Sequence, residues 1–134
     1  GAYCASKAAV HALSGALRME LAPFGIQVME VQPGAIESSF GANASHSAEQ
    51  LVSEQSPWWP VREGIRARAN ASQENPTPAS QFAATLLAAV AREERPALLR
   101  IGNGCRRLPL LQQLLPRRLM ERMLSKRFGL DTPL

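Results

Sequence analysis

Tyr3 is the only tyrosine in the chain, and Lys7, one of two lysines, stands four residues after it. On a helix, residues i and i+4 share a face, so the ammonium lies beside the phenol and favours its ionised form. A phenol with a pKa of about 10 is no base at neutral pH until a neighbouring charge lowers that value. The spacing therefore suits a proton-transfer pair, and it equally suits an ordinary pair on a helix surface. Other chemistry-bearing residues are sparse. His11 and His46 have no cysteine, histidine or carboxylate at ligand spacing, so they read as a helix-surface or subunit-interface residue and a loop residue. Cys4 and Cys105 sit in unrelated contexts, which fits free thiols in a reducing cytoplasmic compartment better than a disulfide framework or a zinc site. No metal site is expected.

The elements that must position the pair follow from periodicity. Apolar and small residues from Tyr3 to Leu21 keep helical spacing until Pro23-Phe24-Gly25, predicting a long, mostly buried helix. Its alanines and Gly15 permit close approach by another backbone, as a subunit interface or a sheet would require. Ile26 to Gln32 alternates and is β-branched, predicting a strand that ends at Pro33-Gly34. Residues 35–76 are a long polar connection containing Trp58 and Trp59, with Ser47-Ala48-Glu49-Gln50 resembling a capping box and a basic helical stretch over 61–70. Thr77 as N-cap and Pro78 in the first turn predict a helix over 77–95, and a second strand is expected over 97–102. Residues 105–134 form a leucine-rich, basic extension interrupted by Pro109 and Pro116, predicting amphipathic helices. Helix followed by strand is the second half of a βαβ unit, so the class is α/β. Two strands leave open edges and uncovered faces that need neighbours.

The 134 residues, 46% of them hydrophobic, suit one small domain. The net charge of +4 is uneven: residues 1–91 carry five cations against seven glutamates, whereas residues 92–134 carry ten cations against four carboxylates. No apolar run approaches the ~20 residues of a membrane span. The basic tail can lie on an anionic membrane surface, or it can pack its leucines on the domain and leave its arginines solvated. Nucleic acid is not an expected partner, because the basic residues lack interleaved aromatics and no binding module is recognisable. Gly1 is not an initiator methionine and stands inside what reads as a helix, so a piece of a longer protein is expected, its remainder upstream.

Tyr3-Cys4-Ala5-Ser6-Lys7-Ala8-Ala9-Val10, followed after helix and strand by Val31-Gln32-Pro33-Gly34-Ala35-Ile36-Glu37-Ser38, resembles the C-terminal half of the short-chain dehydrogenase/reductase family. The likeness is compound: tyrosine and lysine, alanine-rich helix, strand and Pro-Gly turn occur in family order and spacing. It implies the C-terminal portion of a doubly wound, Rossmann-type NAD(P)-binding fold over 1–104, without the N-terminal βαβ half and with a substrate lid over 35–76. The 105–134 tail resembles the extension of the family's hydroxysteroid, retinol and acyl-ketone branch.

The resemblance also implies roles. Tyr3 becomes the general acid/base for a substrate carbonyl or hydroxyl, and Lys7 lowers the phenol's pKa and bonds the nicotinamide ribose. Cofactor contacts fall on Tyr3, Lys7, Pro33, Gly34, the backbone of Ile36 and the hydroxyl of Ser38, where the family more often has threonine. Trp58 and Trp59 either close an apolar pocket over a bulky substrate or anchor the loop. The expected reaction is hydride transfer between NAD(P)(H) and an apolar alcohol, ketone or aldehyde, with homo-oligomer formation through the Tyr3–Leu21 helix. The choice between NAD and NADP, like the glycine-rich loop and the catalytic serine, belongs upstream of the tyrosine. The isolated chain is therefore expected to be inactive. A non-catalytic remnant or interaction module, peripheral to membranes, is the alternative.

Overall fold

The computed structural model describes residues 1–131. Its first element, α1 (Ala2–Leu21), is rich in alanine, which loses no side-chain entropy on becoming helical. The helix ends in a Schellman motif. Gly25 takes the left-handed conformation (φ 72°) and its N–H bonds the Ala22 carbonyl, while Ile26 N–H reaches back to Leu21. Next come β1 (Glu30–Pro33), α2 (Phe40–Leu51), α3 (Arg62–Asn70), α4 (Ala79–Val90), β2 (Leu98–Ile101), α5 (Arg107–Leu114) and α6 (Arg117–Arg127). The two strands are parallel, Glu30 opposite Leu98 through Pro33 opposite Ile101. Residues 34–97 form the crossover. The chain is thus α/β with a small parallel sheet and a majority of helix, as a partial Rossmann-like arrangement requires.

The strand expected from Ile26 begins only at Glu30. A strand needs a ladder, and β2 offers one no earlier: Glu30 N–H is the first to bond across, to Ala97 C=O. Before that point side chains hold the approach. The Arg18 guanidinium donates to the carbonyls of Val28 (3.0 Å) and Ala97 (2.7 Å), and the Gln27 amide joins Glu93 and Arg95.

Three expectations about local structure are corrected. The α1 helix is not mostly buried; none of its residues is, and a Cβ at Gly15 would meet no neighbouring atom within 4 Å. A helix of this length spans about 30 Å, whereas two strands are only about 10 Å wide. Ser47 caps nothing: it lies inside α2, its hydroxyl donating back to Asn43 C=O, and the helix starts at Phe40 after Ser39. Thr77 is not the N-cap of α4, a position taken by Pro78. Its backbone instead bridges to Ile36 and its hydroxyl accepts a bond from Asn103 N–H.

The core is small. Val61, Ala89, Ile101 and Met120 are the buried hydrophobic residues among those described. Gly64 lets α3 meet the end of α6, since a Cβ there would stand 1.7 Å from the Phe128 carbonyl oxygen. Arg127, joined to Glu74 at 3.0 Å, secures the same junction.

Candidate active site

Tyr3 and Lys7 occupy the first two turns of α1, both exposed, with Lys7 Nζ 5.5 Å from the centre of the phenol ring. Helical periodicity alone produces this contact. A second contact ties the pair to the start of α2: the rings of Tyr3 and Phe40 lie 5.7 Å apart at 41°, a tilted aromatic pair. Phe40 is the first residue of α2, and its N–H points to the Ser38 hydroxyl oxygen at 3.4 Å. The phenol, the ammonium and Ser38 therefore share one end of the molecule, beyond the carboxyl end of β1. In open parallel sheets that is where ligands bind.

The turn between β1 and α2 is held from behind. Pro33 closes the strand, and Gly34 N–H bonds Ile101 C=O at 2.7 Å. A Cβ on Gly34 would stand 2.2 Å from the Asn103 carbonyl oxygen, so only glycine permits this approach. Ala35 N–H bonds Asn103 C=O, Thr77 N–H bonds Ala35 C=O, and Glu37 N–H bonds Thr77 C=O. With Ala35 and Glu37 committed to that bridge, the backbone groups of Ile36 face the other way, where the Gln73 amide lies 3.4 Å from its carbonyl. The Ser38 hydroxyl accepts from Phe40 and keeps its own proton to donate.

Trp58 and Trp59 part company. Trp58 is exposed, whereas Trp59 is half-buried under the Arg62 guanidinium, 4.4 Å from its ring, and Arg62 also donates to the Trp59 carbonyl. Among the described residues no ring contact joins either indole to Tyr3. His46 contacts Gln50 on the α2 surface, and no cluster of three metal-ligating side chains occurs among the described residues.

Sequence reasoning missed Phe40, the Thr77–Asn103 clamp and a polar relay under α1. His11 Nδ1 bonds Glu30 Oε1; the Gln32 amide donates to the same carboxylate at 2.6 Å and accepts from Arg100 at 3.0 Å. Glu30, 13% exposed, loses solvation by burial, which opposes its charge. The bonds from Gln32 and His11, with the charge of Arg18, outweigh that and hold the carboxyl below its ordinary range. The available signal was the period-2 placement of Glu30 and Gln32 on one strand face.

The family model for short chain dehydrogenase matches residues 1–49, the segment that contains Tyr3, Lys7 and the turn to Ser38. A short-chain dehydrogenase/reductase of Pestalotiopsis microspora is 30% identical over 132 residues, 97% of this chain and 49% of that protein. An NADPH-dependent 1-acyldihydroxyacetone phosphate reductase of Schizosaccharomyces pombe is 39% identical over 70 residues, 52% of this chain and 24% of the relative. A 3-ketodihydrosphingosine reductase of Yarrowia lipolytica is 55% identical over 38 residues, 28% of this chain and 10% of the relative. No solved structure matches significantly. The chain belongs to the short-chain dehydrogenase/reductase family, a family of oxidoreductases. It spans half the length, or less, of these curated relatives.

Proposed function

We propose that this chain carries the proton-transfer side of an NAD(P)-dependent oxidoreductase site acting on an apolar ketone, aldehyde or alcohol. The observation that carries the reading is the Tyr3–Phe40 contact, which brings the phenol and Lys7 to the turn containing Pro33, Gly34, Ile36 and Ser38. The donor set suits a nicotinamide: a free hydroxyl proton on Ser38 and the Ile36 N–H, turned away from Thr77, for its carboxamide, and the Lys7 ammonium for its ribose. When bound, the cofactor supplies or accepts hydride at the substrate carbon. In the reductive direction Tyr3 donates its phenolic proton to the carbonyl oxygen, giving an alcohol and leaving a phenolate beside Lys7. Its exposure lets solvent return the proton. In the oxidative direction the phenolate takes the hydroxyl proton. The substrate class is supported by the two relatives named as reductases of 1-acyldihydroxyacetone phosphate and of 3-ketodihydrosphingosine.

The test is Tyr3→Phe in the protein encoded by the uninterrupted reading frame containing residues 1–134. Removing one hydroxyl is expected to lower kcat by about 10²–10⁴-fold, with cofactor affinity nearly unchanged. Unchanged kcat overturns the reading. A second reading, a non-catalytic module that pairs with another polypeptide, is favoured by the exposure of α1. It predicts that neither Tyr3 nor Lys7 affects nicotinamide oxidation by any assembly containing the chain.

A further inference from the structure

We infer that the outer face of α5 and α6 is a docking surface for a bilayer containing anionic lipid. Packing the tail's leucines on the domain requires them to be covered, and they are not: Leu110 is 54% exposed and Leu114 69%. Together with Leu111 they lie on one side of α5, flanked by Arg106 and Arg107. On α6, Met120 alone is buried, while Leu119 and Met123 are exposed beside a stripe of cations, Arg118, Arg122 and Lys126, at successive i+4 positions.

The charges on this helix divide into two sets. Arg117 is joined to Glu121 at 2.8 Å and Arg127 to Glu74 at 3.0 Å, whereas none of the stripe has an ion-pair partner among the described residues. The three unpaired cations line a surface depression of about 630 Å³, together with the carboxylates of Glu121 and Asp131. Over 105–131 the sequence carries seven cations and two carboxylates.

Exposed leucine beside long cationic side chains matches the boundary between acyl chains and anionic headgroups. A second copy of this face would bring like charge against like charge. Nucleic acid would find no aromatic side chain on either helix to stack on. No helix among the described residues is long and apolar enough to cross a membrane, so the association would be peripheral.

The experiment is co-sedimentation of the chain with vesicles of phosphatidylcholine, alone or with about 30 mol% phosphatidylglycerol, at about 0.1 M salt. At least about ten-fold enrichment on the anionic vesicles is expected, weakening as salt rises. Reversing the stripe (Arg118→Glu, Arg122→Glu, Lys126→Glu) should reduce partition by about 30-fold or more. Leu110→Ser with Leu114→Ser should reduce it by about ten-fold. A control with the same change of net charge elsewhere (Arg66→Glu, Arg68→Glu, Arg92→Glu) should stay within about three-fold of the parent. Far-UV circular dichroism of each variant establishes that the helices persist. No enrichment on anionic vesicles, or a control that loses as much as the stripe variant, overturns the inference. So does a concentration-dependent dimer, removed by the leucine variant, in a chain that ignores vesicles.

Discussion

Glu30 links α1 to the sheet, and its charge sets a pH dependence. Its carboxyl titrates below the ordinary range in the folded chain. The stabilisation is therefore present above the unfolded pKa and lost as pH falls through the folded value. Protection of the β1 amides against hydrogen exchange, corrected for intrinsic rates, is expected to fall on acidification, and less so in Glu30→Gln. Equal acid sensitivity in both proteins would remove Glu30 from this role. At this scale the Tyr3–Lys7 contact was legible, because the two residues need only helix periodicity to meet. The Phe40 contact and the His11–Glu30 bond were not: each joins residues far apart in sequence, and pattern along one segment carries no such information.

Elements defined by their own periodicity were readable: α1, α4 and a tail broken at Pro116 appear near their expected places, whereas Pro109 falls in the first turn of α5 and does not interrupt it. Elements bounded by distant partners were misjudged. β1 is as long as β2 allows, and Thr77 serves Ile36 and Asn103 rather than the helix after it. The α3–α6 junction is another long-range feature, resting on Gly64. Gly64→Ala should favour α3 locally while pushing away the Phe128 backbone. Hydrogen exchange in 117–128 is expected to quicken by about ten-fold or more, with α3 amides unchanged. Unaltered exchange in α6 would show that the junction accommodates a methyl group.

The whole molecule exposes 9997 Å², against about 6,900 Å² for a compact monomer of its mass. Few side chains share a common core, so little makes one helix depend on another. Thermal unfolding of the purified monomer is expected to be broad, whether followed by circular dichroism or calorimetry. A sharp transition would contradict this. The parallel register carries a further consequence, one of time. Gln32 and its partner Arg100 are separated by 68 residues, so the ladder cannot start until that stretch has been synthesised. At about 5–20 residues per second β1 waits roughly 3–14 s on a translating ribosome with the edge that β2 will take unpaired. In that interval a chaperone, or a strand from a neighbouring chain, competes for the position β2 will later fill.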